Sequence, residues 1–161
     1  MLPLDDERWS QLTTFFGNSE DLPRVLRKWL ASVGFDHEDT VYRRDLFDLF
    51  LHQATITNAA FGVVPWLVDV CKRGETSYRV EYLTDVALVE ANRLSYGVYA
   101  NRKGTEEYPA WLMADYQQAI AESQNLVDEV LEAEHNEERK RGLTALKPAL
   151  HGNADLAWSQ W

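Results

Sequence analysis

Apolar positions recur along this chain at the three- and four-residue spacing of one helix face, most clearly over residues 22–33 with Leu22, Val25, Leu26, Trp29, Leu30 and Val33. Ser19 or Asp21 can cap that helix, Pro23 sits in its first turn, where a missing amide costs nothing, and Gly34 supplies the stop. Before it, Trp9, Leu12, Phe15 and Phe16 mark a shorter helix ended by Gly17. After it, Asp39 or Thr40 opens a helix that runs through Leu46, Phe47, Leu49 and Phe50 to His52. Thr57 caps a short helix over 58–64, and Pro65 should break it, because its ring clashes with the preceding turn. A separate helix then runs from Pro65 to Gly74.

Ser77 opens the next helix, with Val80, Leu83, Ala87, Leu88, Ala91 and Leu94 as its buried face and Gly97 as its end. Residues 97–108 form the one long connection, and Pro109 starts the longest helix, to about Glu134. Its apolar face is Leu112, Tyr116, Ala119, Ile120, Ser123, Val127, Val130 and Leu131. The opposite face reads Trp111, Asp115, Gln118, Glu122, Asn125, Glu129 and Glu132, an acidic stripe headed by a tryptophan. A last helix spans 137–150, weakened by Gly142 and ended or kinked by Pro148, and the tail DLAWSQW docks as a final turn through Leu156, Trp158 and Trp161. No two alternating runs are joined by Asn-Gly or Asp-Gly, so no sheet is expected. The expected fold is one all-α domain over 1–161, built from antiparallel helix pairs.

Charge narrows the partners. Twenty-six acids against sixteen bases give a net charge of −10, which repels phosphate backbones and disfavours nucleic acid. A basic protein partner is favoured instead. The acids are concentrated, with ten of them and no Lys or Arg between residues 104 and 138. The single cysteine, Cys71, cannot pair within the chain and lies on an apolar stripe with Leu67 and Val70, where an inert core thiol is expected. The N-terminal stretch lacks the pattern of a signal peptide, and the most apolar run, 59–70, is too short and too Pro-interrupted to span a bilayer. A soluble cytoplasmic protein without membrane attachment is the expectation.

The stretch LFDLFLHQATITNAAFGVVPWLVDVC, with His52 and Gln53, Thr55 to Thr57, Ala59 and Ala60, and then Pro65, Trp66 and Leu67, resembles divergent HEAT-like and armadillo-like helical repeats. ERKRGLTALKPAL, residues 138–150, looks like a worn second helix of the same class. The resemblance implies a short α-solenoid that binds protein, with immunity or adaptor proteins among its small bacterial relatives. The chain departs from it in lacking a clean repeat period, and an irregular helical bundle is the alternative architecture.

Enzyme signatures are missing: there is no nucleophile elbow, phosphate loop or dinucleotide fingerprint, so no catalytic residue and no cofactor are expected. Glu132 and His135 have the Glu-x-x-His spacing of a di-iron helix, but no second copy accompanies them and no metal is expected. His52 is read as a histidine at a helix C-terminus, where it satisfies free carbonyls. The candidate binding site is the stripe of Trp111, Asp115, Glu122, Glu129 and Glu132, in which an aromatic anchor stands among steering charges. An ordinary solvated helix face is the competing reading of the same residues. A helical-bundle enzyme or metal protein using His52, or Glu132 with His135, and a homo-oligomer joined through the long helix or the terminal tryptophans are the alternative functions.

Overall fold

The computed structural model describes residues 1–16, 19–53, 55–74, 76–96 and 108–161, apart from the side chains of 36–38. Gly17, Gly97, the side chain of His37 and nearly all of the expected 97–108 connection lie outside these residues. The fold is all-α, with seven helices among the described residues: α1 Leu22–Ser32, α2 Asp36–Phe50, α3 Ala59–Arg73, α4 Arg79–Ser95, α5 Ala110–Ala133, α6 Glu137–Leu150 and α7 Ala154–Gln160. No helix among them is long and apolar enough to cross a membrane.

Burial rather than capping fixes these helices. Asp21 makes no side-chain cap on α1, a loss of about 1 kcal/mol. Leu22, Leu26 and Trp29 are fully buried, and at roughly 2 kcal/mol for each large apolar side chain their burial outweighs the missing cap. In α6 the Asn136 side chain does cap, accepting the amides of Glu138 and Arg139 at 3.0 and 3.2 Å.

Side-chain contacts set the helix directions. Glu81 pairs with Arg139 at 3.0 Å, and Thr84 faces Gly142 one turn further along both helices, so α4 and α6 run the same way. Asp39 meets Tyr82 and Arg43 meets Asp85, so α2 runs the same way as α4. Phe61 packs on Tyr116 and Lys72 on Glu122, which makes α3 and α5 parallel to each other. Arg79 with Glu129 and Glu90 with Tyr116 show α5 running against α4. The pair α3 and α4 thus lies on the pair α5 and α6, helix on matching helix, and α7 folds back over α4 and α6.

The pair α1 and α2 joins this stack through a polar seam. Asp39 is fully buried: it accepts Trp29 Nε1 at 3.2 Å and Thr76 Oγ1 at 3.0 Å, and the Tyr82 hydroxyl donates to its Oδ1. One turn on, Arg43 grips Asp85 with two bonds, of 2.8 and 2.7 Å. A third buried carboxylate, Glu90, takes the Tyr116 hydroxyl at 2.7 Å and both arms of Arg93. None of these acids was legible as buried: Asp39 reads in sequence as a helix cap, and Asp85 and Glu90 stand outside the apolar face expected for α4.

Several expectations are corrected. Pro65 lies inside one continuous helix, α3, rather than at a break. Phe61, Val63, Val64, Leu67 and Val68 are all buried there, and at roughly 2 kcal/mol each their burial exceeds a proline cost of about 3 kcal/mol. The N-terminal stretch forms a 3-10 turn, Glu7–Gln11, capped by Asp6, in place of an α-helix. A two-residue antiparallel bridge pairs Leu51 with Ile56 and His52 with Thr55 where no strand was expected, with Gln53 at φ 48° in the turn. α2 ends at Phe50, so His52 is no helix cap; its ring packs on Phe15 and Phe16 with centroids 5.9 and 5.0 Å away. In α4 Leu94 is exposed while Tyr82, Val86 and Val89 are buried, because the helix has neighbours on nearly every side. The tail docks through Ala154, Ala157 and Trp158, and Leu156 faces outward.

Candidate functional site

The stripe expected on α5 is present on one face, but cations from other elements answer most of it. The Arg8 guanidinium lies 4.7 Å above the Trp111 ring, which is half-buried. The Met1 ammonium pairs with Asp115 at 2.7 Å. Lys72 of α3 donates to Glu122 at 2.9 Å and Gln118 adds a bond of 3.0 Å, and these bonds hold the Glu122 carboxyl below its ordinary range, that from Lys72 most of all. Arg79 at the start of α4 pairs with Glu129 at 2.7 Å. Glu132 is exposed and has no ionic partner among the described residues. Sequence reading found the stripe and missed its counter-ions, because Arg8, Lys72 and Arg79 lie 50 or more residues away along the chain.

The C-terminal end of the stripe stays negative. α5 has no base in its last turn, where a helix favours cations, yet Glu132 stands there. α6 begins beside it with Glu137 and Glu138, both exposed, Glu137 within 3.4 Å of Lys140, and Glu129 keeps 62% of its side chain in solvent despite Arg79. This corner between α5 and α6 presents four carboxylates to solvent.

Behind the corner lies a cleft of about 250 Å³, formed by the start of α4, the end of α5 and the start of α6. Thr76, Ser77, Arg79, Glu134, His135 and Arg139 supply its polar lining over Val80, Val130 and Ala133. Glu134 is turned to its own backbone: Oε1 accepts the amides of His135 and Asn136 at 2.8 Å each, which lowers its carboxyl pKa, the Asn136 bond most strongly. Arg139 reaches Glu81 at 3.0 Å and the Ser77 carbonyl at 3.5 Å. The Arg79 Nε is buried without a hydrogen-bond partner.

The remaining candidates have little chemistry around them. α5 ends at Ala133, so Glu132 and His135 do not share a helix face. Among the described residues no group of three or more His, Cys, Asp or Glu side chains is placed to hold a metal. Cys71 is fully buried, its thiol donates toward the Arg79 carbonyl at 3.6 Å, and burial pushes its pKa far up. No protein family, no curated protein and no solved structure matches this chain.

Proposed function

We propose that this chain is a non-enzymatic protein-binding scaffold of stacked helix pairs, HEAT-like in layout, whose acidic corner between α5 and α6 engages a basic protein as an immunity or adaptor protein would. The observation that carries the reading is Glu132, an exposed acid in the last turn of α5. The helix dipole opposes a negative charge there by a few tenths of a kcal/mol or more, roughly up to 1, so the placement costs stability that a binding role would recover. The parallel α2, α4 and α6 support the stacked layout, and the net charge of −10 supports a basic partner. The single buried cysteine suits a cytoplasmic setting, which is part of the proposal.

Titration of isotope-labelled protein with a lysine-rich peptide tests this by NMR. Shifts should concentrate on 129–138, weaken with added salt, and fade in the variant Glu129→Gln, Glu132→Gln, Glu138→Gln. Equal shifts in that variant, or shifts centred elsewhere, would sink the assignment. A second reading, self-association, is favoured by Trp161 and Tyr96, 58% and 68% exposed. Light scattering that shows a monomer at high concentration would remove it.

A further inference from the structure

α1 and α2 pack closely on each other, yet among the described residues α2 comes near α4 only at isolated points, whereas α3, α5 and α6 lie alongside α4. Long polar side chains bridge the gap: Asp39 meets Tyr82 and Thr76, and Arg43 meets Asp85. Groups of this kind regain hydrogen bonds from water when a seam parts, so they add less net adhesion than apolar packing does. The joint from α2 to α3 is strained as well. It consists of two bridge pairs, Leu51 with Ile56 and His52 with Thr55, and Gln53 in its turn holds φ 48°, which residues with a side chain rarely adopt. At its foot the Thr57 hydroxyl is buried without a hydrogen-bond partner. Both penalties are relieved when the joint opens. Against them stand two bonds from the N-terminal stretch, Arg27 to the Leu4 carbonyl at 2.6 Å and the Phe15 amide to the Leu49 carbonyl at 2.9 Å.

We infer that α1 and α2 form a hinged flap, a pair that swings off α4 as one unit about the joint at 51–56 while α3 to α7 stay folded. The motion bares the flank of α4 that carries Tyr82 and Asp85 and hydrates the Asp39 carboxylate. Sub-global opening draws on units with few close contacts to their neighbours, and α1 with α2 is such a unit. The hinge does not depend on the protein-binding reading.

Amide hydrogen exchange of the full chain, followed at denaturant concentrations below the unfolding transition, tests the flap. Amides of α1 and α2 should share one protection factor, at least about tenfold below that of α5 and α6. Ile120→Val trims the buried core on α5 and should lower protection of α5 and α6 about threefold to tenfold, while α1 and α2 keep theirs. Tyr82→Phe removes one seam bond and should lower protection of α1 and α2 about fivefold to thirtyfold. Protection of α1 and α2 equal to that of α5, or graded from their ends, overturns the proposal. It fails equally if all helices share the loss in Ile120→Val, or if α1 and α2 are indifferent to Tyr82→Phe.

Discussion

The Tyr82 hydroxyl donates to Oδ1 of Asp39, so α4 and α2 meet through a hydrogen bond sealed from water, with Trp29 and Thr76 supplying two more donors to the same carboxylate. Removing the acceptor strands the buried Tyr82 and Thr76 hydroxyls and leaves Trp29 Nε1 only the Tyr82 oxygen, 3.3 Å away, while removing one donor leaves two in place. Asp39→Ala should therefore cost about 3 to 5 kcal/mol, and Tyr82→Phe only about 1 to 2. Urea denaturation midpoints measure both, and equal losses would show that the carboxylate is not the hub of the seam.

Asp85 gives a pH dependence opposite in sign to that of most carboxylates. Burial pushes its carboxyl from 3.8 up to about 6, although Arg43 pulls it down. A folded pKa above the unfolded one means that the folded state holds the proton more tightly. Its contribution to stability is therefore fullest below pH 3.8 and is lost as pH rises toward 6. Relative to Asp85→Asn, the native protein should gain up to roughly 3 kcal/mol as pH falls through that window. A difference that stays flat with pH, or that widens with alkali, would contradict this.

Two helix glycines should respond oppositely to alanine. A Cβ on Gly62 would stand 2.9 Å from Trp9 Cζ3 and 3.1 Å from Leu12 Cδ1, and the Trp9 ring is pinned by its Nε1 bond to the Pro3 carbonyl. Overpacking of about 1 to 3 kcal/mol then exceeds the helix-propensity gain of about 1, so Gly62→Ala loses stability. At Gly142 the nearest atoms are Trp161 Cζ3 at 3.4 Å and Thr84 Cγ2 at 3.7 Å, ordinary contacts. Gly142→Ala should gain about 0.5 to 1 kcal/mol, read as a higher melting temperature.

Cys71 should report opening of the fold. Its thiol is buried and its pKa is raised by that burial, so a thiol reagent must wait for the core to open. Labelling in native buffer should run about a thousandfold slower than in denaturant, in line with ordinary domain stability. Comparable rates would mean that α3 is loosely held.

Where one side of a helix decides its fate, the sequence was enough. The expected bounds of α6 match its observed Glu137–Leu150, and Leu112, Tyr116, Ala119, Ile120, Ser123, Val127 and Val130 are all buried on α5 as expected. α4 resisted the same reading because its surroundings are nearly continuous: Asp85 and Glu90 are buried where Arg43 and Tyr116 arrive from other elements, and periodicity carries no trace of such partners. Pro65 was misjudged for a related reason, since the local clash is visible in the sequence and the packing that outweighs it is not. The candidate stripe was legible as a pattern and illegible as a surface, for which Arg8 over Trp111 is the plainest case.

The seam between α2 and α4 also decides how those helices may not assemble. An oily contact tolerates sliding, because one leucine serves nearly as well as the next. Here a slip of α2 by one turn along α4 would carry Asp39 from Tyr82 to Asp85, setting carboxylate against carboxylate, and would leave Arg43 beyond its mate. The two paired sites work as a two-pin key that admits a single alignment, at some expense in raw adhesion.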